Sequence, residues 1–113
     1  MADFPPPVRQ MLLDAGLGGA TVDRVQVARI ELAPGQPAGL HRHPCPVIGC
    51  VLAGAIRFQV AGEAETILRP GDAFHEPAGV EIPHFDNASE LEPAVFLASY
   101  LLPPGEDRLI EML

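Results

Sequence analysis

Two of the four histidines in this chain, His41 and His43, are separated by one residue and follow a Gly/Pro-rich turn. Alternate side chains on a β-strand point to the same face, so a His-x-His pair directs two imidazole rings toward one point. Neutral imidazole is a common ligand of transition-metal ions in proteins. The spacing therefore predicts a metal site. The alternative is a pair of histidines held by hydrogen bonds in a polar pocket without metal.

Short strands must position this pair, because 13 Pro and 11 Gly argue against long helices. Apolar and polar residues alternate over residues 21–32, as in a strand with one buried face. Residues 47–72 contain three apolar runs separated by Ala-Gly and Pro-Gly turns, which predicts an antiparallel meander. With further strands around residues 77–79 and at 93–102, the chain should have about seven to nine short strands. This pattern predicts an all-β sandwich or closed barrel.

The two ends of the chain depart from this pattern. Residues with the spacing of one helix face, followed by a glycine suited to a helix C-terminus, predict a short N-terminal helix. We expect its apolar stripe to pack on the domain. Residues 103–113 are expected to form a loose cap. The residues that predict the helix are Val8, Met11, Leu12, Ala15 and Gly16.

The bulk properties exclude several classes of function. A length of 113 residues suits a single domain with one core. The net charge of −8 disfavours binding to nucleic acid or to an anionic membrane. No apolar run approaches the roughly 18–20 residues of a membrane span, and no secretion signal is recognisable, so a cytoplasmic location is expected. Cys45 and Cys50 should then be free thiols.

The order of several residues resembles the two motifs of the cupins, small jelly-roll β-barrels that often hold one metal ion. Their first motif combines Gly, His-x-His, Glu and a second Gly at fixed spacing. Their second motif combines a Pro-Gly-Asp turn, Pro-x-Gly, and then His and Asn. The resemblance covers about residues 22–102 and implies that residues 1–113 form a single-domain jelly-roll barrel. The matching residues are Gly35, His41, His43, Gly54, Pro70, Gly71, Asp72, Pro77, Gly79, His84 and Asn87.

Two positions depart from the motifs. Val47 stands where the first motif has its glutamate, and Ile82 stands where the second motif usually has its histidine. His84 follows two residues later. Either the preceding turn is two residues longer and restores His84 to the usual place, or His84 lies about 6–7 Å further along the strand on the same face. In both cases we expect His84 to face the barrel and act as a third metal ligand.

A carboxylate elsewhere could replace the missing glutamate. The family usually has inward-facing apolar residues at the positions of Phe74 and Glu76, so Glu76 would lie inside the barrel and His75 would face outward. A buried charge requires a metal, a hydrogen-bonded partner or a raised pKa. Glu76 is therefore predicted as an additional metal ligand or as a general base. The alternative is an exposed strand residue.

These features predict a cupin barrel that binds a divalent transition metal (Zn, Fe, Mn or Ni) and a small, partly apolar organic molecule. Three functions are open at this point. The first is a metal-dependent enzyme of the oxygenase or isomerase type, activities that the family includes. The second is binding or sensing of a small ligand or metal without turnover, and the third is a metal-free interaction domain. The resemblance also implies a homodimer, because cupins commonly pair through edge strands.

Overall fold

The computed structural model describes residues 3–113, and its regular elements are antiparallel β-strands. A four-stranded sheet has the order β1-β8-β3-β6, a three-stranded sheet has the order β5-β4-β7, and β2 pairs with β9. The all-β prediction is confirmed, and the nine strands agree with the expected number. The strands are β1 (Arg24–Leu32), β2 (His41–Arg42), β3 (Val47–Ala53), β4 (Ile56–Gln59), β5 (Thr66–Leu68), β6 (Ala73–Glu76), β7 (His84–Asn87), β8 (Ala94–Leu102) and β9 (Glu111–Met112).

The two larger sheets pack face to face through phenylalanine rings. Phe85 from the three-stranded sheet lies 4.6 Å from Phe96 and 5.0 Å from Phe74 of the four-stranded sheet, measured between ring centroids. Such tilted aromatic contacts add to the free energy gained from burying the rings. A Cβ atom at Gly49 would clash with the Phe74 ring and with a backbone carbonyl, so glycine is required on β3 at this point.

Asn87 of the second motif has a structural role. Its side chain is buried on β7, and Nδ2 donates to the backbone carbonyls of Leu32, Ala33 and Glu92. Its Oδ1 accepts a hydrogen bond from the Ser89 amide. These bonds satisfy buried backbone groups at the end of β1 and in the loop before β8. The motif asparagine therefore joins the end of β1 to the loop before β8.

The predicted N-terminal helix is wrong, because residues 3–17 form neither helix nor strand. Val8 is 96% and Met11 82% exposed, so the expected apolar stripe has no surface to pack on. A helix this short is stable only when tertiary packing supports one of its faces. Partial burial in residues 3–17 instead alternates, at Leu13, Ala15 and Leu17.

No helix among the described residues is long and apolar enough to cross a bilayer.

The C-terminal tail is not a loose cap. Its strand β9 pairs with β2, where Met112 lies opposite His41 and Glu111 opposite Arg42. Arg42 and Glu111 also form an ion pair with an Nε–Oε2 distance of 2.9 Å. The tail is therefore paired with β2, the strand that begins with His41.

Candidate metal centre

Three of the residues predicted as metal ligands meet at one point. His41 begins β2, His43 follows that strand, and Glu76 ends β6; all three side chains are buried. One ligand atom from each lies within 4.8 Å of the other two. Glu76 Oε2 is 3.5 Å from His41 Nε2 and 2.5 Å from His43 Nε2. The expected convergence of the His-x-His pair on one point is therefore present in the fold.

Backbone carbonyls fix the orientation of both imidazole rings. His41 Nδ1 lies 2.7 Å from the Gly39 oxygen, and His43 Nδ1 lies 2.6 Å from the Leu109 oxygen. A carbonyl oxygen can only accept, so each Nδ1 carries the proton and donates it. In the neutral rings, both Nε2 atoms then present lone pairs to Glu76. Metal-ligating histidines are commonly held by such a hydrogen bond from the other ring nitrogen.

The surroundings of the Glu76 carboxylate show that these residues fit a metal ion. Its Oε2 atom is buried and, within residues 3–113, has no hydrogen-bond donor. Two imidazole lone pairs and a carboxylate oxygen therefore share a small space with no proton between them. Such a group of buried acceptors requires a cation, either a metal ion or a proton that converts an imidazole to imidazolium. Two nitrogen donors and one oxygen donor suit a divalent transition metal.

When no metal is bound, a proton can take the place of the metal cation, and the pKa shifts of His41 and Glu76 describe that state of the site. Burial lowers the pKa of His41, but the Glu76 carboxylate and the Gly39 carbonyl outweigh burial and raise this pKa above its ordinary value. Burial raises the pKa of Glu76, but the facing imidazoles, which donate to it once protonated, bring this pKa below its ordinary value. In the absence of metal the site therefore favours an imidazolium–carboxylate pair.

Glu76 supplies from a neighbouring strand the carboxylate that the first motif lacks. Val47, at the motif position, and Glu76 are directly opposed across the β3–β6 pair. Opposed residues of antiparallel strands share one face and have Cβ atoms about 4.5–5.5 Å apart. Both side chains are buried on the inner face. The prediction that Glu76 faces the interior is confirmed, and its role as a ligand stays a prediction.

The expectation that His84 faces the interior requires correction. Ile82 is fully buried and forms a β-bridge with His41, so Ile82 is the residue that lies beside the site. The chain then bends at Pro83, and the next fully buried residue is Phe85. Ile82 and Phe85, the two inward-facing residues, are three positions apart, whereas inward-facing residues of a regular strand are two apart. The bend at Pro83 therefore shifts the alternation by one residue. His84 consequently leaves the inner face.

The contacts of His84 belong to the outer face of the three-stranded sheet. Its Nδ1 lies 2.9 Å from Asp86 Oδ2, and its Nε2 lies 3.6 Å from Glu65 Oε1. Arg57, which pairs with Glu65, lies 3.4 Å from the same Nε2. The structure does not bring His84 to the cluster of His41, His43 and Glu76.

The sequence also predicted that Cys45 and Cys50 are free thiols and that His75 faces outward. Cys45 and Cys50 are free, as expected. Burial raises the pKa of the Cys45 thiol, so a thiolate ligand is disfavoured there. His75 lies on the outer side of β6, but it is half-buried, and its Nε2 has no hydrogen-bond partner within the described chain.

The C-terminal tail contributes to the site, which the sequence analysis missed. The Leu109 carbonyl orients the His43 ring, and Ile110 forms part of the cavity wall. The only signal in the sequence is an apolar pair, Leu109-Ile110, that lies between the charged run Glu106–Arg108 and Glu111. Pairing between residues so far apart in the chain is not encoded in local spacing.

Removing residues 109–113 should therefore weaken metal binding and leave the barrel folded. We expect an affinity about 10–100-fold lower, the usual cost of losing a partner that orients a ligating histidine. Metal titration followed by calorimetry measures this change, and circular dichroism reports the fold. Glu111→Gln, which disturbs only the exposed pair with Arg42, is the control and should bind as the wild type does. An unchanged affinity in the truncated chain would show that Leu109 does not support the site.

A cavity of about 130 Å³ adjoins the three candidate ligands. Its wall is apolar apart from these ligands and Tyr100, whose ring centroid lies 5.8 Å from that of His43. Burial raises the pKa of Tyr100, and the charge of Glu76 raises it further, so the hydroxyl stays protonated at neutral pH. None of the described residues lining the cavity is an arginine. The other lining residues are Ile30, Leu32, Ala38, Val47, Phe74, Phe85, Phe96, Ala98 and Ile110.

Comparison with known sequences identifies the family. Residues 28–100 match the family described as Cupin domain. The chain belongs to the cupin family. No curated protein sequence matches this cupin.

Solved structures share the fold of this cupin. An oxalate oxidase is 26% identical, with a TM-score of 0.67, over 79% of this chain. A cupin-like protein from Thermotoga maritima is 27% identical, with a TM-score of 0.65, over 79% of this chain and 64% of its own. A protein from Thermus thermophilus is 30% identical, with a TM-score of 0.62, over 75% of this chain and 79% of its own. The present chain spans 46% of the length of the oxalate oxidase.

Proposed function

We propose that this cupin binds a divalent transition metal through His41, His43 and Glu76, and a small organic molecule in the adjoining cavity. One observation carries the proposal. Two imidazole lone pairs and a buried carboxylate oxygen without a donor converge within 4.8 Å. The protein maintains this arrangement with hydrogen bonds to both Nδ1 atoms, which supports a site built for a cation.

Three protein ligands leave coordination positions open, as in catalytic metal sites rather than in closed structural ones. A divalent ion bound there would supply Lewis acidity to an oxygen atom of the guest molecule. Glu76 would offset part of the charge of the ion, and the carbonyls of Gly39 and Leu109 would keep both imidazole rings in place. The apolar wall would exclude water and hold the hydrocarbon part of the guest.

The cavity wall favours a guest of particular chemistry. Because none of the described residues that line the cavity is an arginine, a carboxylate or other oxygen-bearing group could be held only by the metal and by the Tyr100 hydroxyl. Phe74, Phe85 and Phe96 would contact the apolar remainder of the guest. The likeness to an oxalate oxidase supports a metal-dependent enzyme of the oxygenase or isomerase type that acts on a small oxygen-bearing substrate.

A second candidate is a metal-free barrel that binds a small ligand without turnover. The raised pKa of His41 and the lowered pKa of Glu76 support it, because an imidazolium–carboxylate pair would satisfy the site without a metal. Ile82, in the usual place of the second-motif histidine, also leaves the ligand set one short of the family pattern.

Titration with a series of straight-chain acids, from acetate to hexanoate, separates the two candidates. We expect the acids to bind the zinc-loaded protein and not the metal-free protein, because without metal the imidazolium is already paired with Glu76 and no free positive charge remains to hold the carboxylate of the acid. Affinity should rise about fourfold per added methylene, equivalent to about 0.8 kcal/mol, until the cavity is full. Calorimetry measures both effects. Equal binding to both forms would favour the metal-free candidate, and binding to neither form would contradict the small-molecule proposal.

A further inference from the structure

The C-terminal tail, residues 103–113, lies between the cavity and the solvent. Among the described residues that line the cavity, Ile110 is the most exposed, at 44%, and the others are buried or half-buried. A residue that lines the cavity and is also exposed lies where the cavity meets the solvent. The tail therefore forms one side of the cavity mouth.

The same part of the tail supports the metal centre. The Leu109 carbonyl accepts a hydrogen bond from His43 Nδ1 at 2.6 Å, and Ile110 is the next residue in the chain. Consecutive Cα atoms are about 3.8 Å apart, so Ile110 cannot move far from the mouth without displacing Leu109. Access to the cavity and the orientation of the His43 ring therefore depend on one short segment.

The tail is less buried than the strand that precedes it. None of residues 103–113 is buried, whereas six of the nine residues of β8 are. Strand β9 pairs only two residues with β2, and the Leu113 amide then donates to the Leu40 carbonyl at 3.0 Å. The half-buried Leu109 packs against the core and is the apolar anchor of the tail.

Two ion pairs complete the attachment of the tail to the barrel. Arg24 pairs with Asp107, and Arg42 pairs with Glu111. All four side chains are exposed, and pairs of this kind contribute little to stability. Segments with few buried apolar contacts open locally at a much lower free energy than the core of a domain. The tail is therefore able to leave the barrel while the barrel stays folded.

From these observations we infer that the C-terminal tail is a lid that opens to admit and release both the metal ion and the guest molecule. In the closed state Ile110 covers the mouth and Leu109 holds the His43 ring, and both contacts are lost together when the tail opens. A guest that contacts Ile110 favours the closed state, and by linkage the closed tail retains metal and guest. Control of metal release rests on the proposed function, whereas opening of the tail can be measured without metal.

A disulfide between β2 and β9 tests the lid within one protein. Arg42 and Glu111 are opposed, and opposed residues have Cα atoms about 4.5–5.5 Å apart, a distance that a disulfide spans. The tail variant is Arg42→Cys/Glu111→Cys, with Cys50→Ser to prevent mispairing; Cys45 is buried. Oxidation should slow the release of zinc to excess chelator at least about tenfold, because a closed tail keeps the His43 ring in place. Reduction should restore the rate.

The affinity for zinc separates a lid from a change in the site itself. Oxidation should change the dissociation constant less than about threefold, because a lid that is mostly closed in both forms alters binding and release equally. Gln59→Cys/His84→Cys, again with Cys50→Ser, is the matched control. These residues are opposed on β4 and β7, strands that do not pair with β9, and their disulfide should leave zinc release unchanged.

Equal rates of zinc release from the oxidised and reduced tail variant would overturn the inference, as would equal slowing by the control disulfide. Circular dichroism checks that each variant is folded.

Hydrogen exchange of the metal-free chain measures the opening itself. The Leu113 amide and the amides that pair β9 with β2 should exchange at least about 100-fold faster than those that pair β3 with β8, because the latter require unfolding of the barrel. Oxidation of the tail variant should slow the exchange of the β9 amides. Protection of β9 equal to that of β8 would overturn the inference. Fast exchange in a chain that binds no zinc would contradict the proposed metal site and support the opening of the tail.

Discussion

The variant in which both His41 and His43 are replaced by alanine should lose its bound metal. The wild type, purified without chelator, should carry about one transition-metal ion per chain, as expected for the one ligand cluster found within residues 3–113. The double variant retains only Glu76 at this point, and one carboxylate does not hold a transition metal against competition from water. Elemental analysis of the freshly purified proteins measures the difference.

His84→Ala is the matched control for the double histidine variant. His84 is also a strand histidine with a carboxylate neighbour, but its contacts lie on the outer face of the three-stranded sheet. Its metal content should equal that of the wild type. Circular dichroism must show that the double variant is folded, because the substitutions leave the Glu76 carboxylate buried without imidazole partners. Unchanged metal content in the double variant would place the ion elsewhere.

The sequence was sufficient to predict the turns of the barrel, because their requirement is local. The Ala-Gly and Pro-Gly pairs were interpreted as turns, and Gly54, Gly62, Gly71 and Gly79 all have positive φ angles between 74° and 91°. This backbone conformation depends on the residue itself. The N-terminal helix could not be predicted in the same way. Its spacing was correct for a helix, but its stability depends on a packing surface that the fold does not provide.

In the candidate site, too, the features that depend on nearby residues could be predicted from the sequence, and those that depend on distant contacts could not. Strand alternation correctly directed His41 and His43 to one point, and the family resemblance correctly placed Glu76 inside, because these positions lie in or beside regular strands. Alternation failed for His84, since the bend at Pro83 changed the alternation by one residue. The contribution of Leu109 could not be anticipated, because it depends on pairing between strands β2 and β9, about 70 residues apart in the chain.

Replacing Glu76 with glutamine should weaken metal binding by at least about 100-fold, the upper end of the effect of losing an orienting partner alone. Glutamine keeps the size of the side chain and removes its charge, so the barrel should remain folded. Competition with a metal-sensitive dye measures the dissociation constant. An unchanged constant would show that Glu76 is not a ligand and that its burial beside the imidazoles has another cause.

The opposition of Val47 and Glu76 across β3 and β6 allows a sharper test. Glu76→Val should abolish binding, and adding Val47→Glu should restore much of it, because the carboxylate then enters the same cavity from the directly opposed position. Val47→Glu alone is the control; it places two carboxylates side by side and should destabilise the metal-free protein, since like charges at short distance repel. Restoration in the exchanged variant would mean that the site requires one carboxylate in this pair of positions and tolerates either strand as its source. Failure to restore binding in a folded exchanged variant would mean that the imidazoles are oriented for a carboxylate arriving from β6 alone.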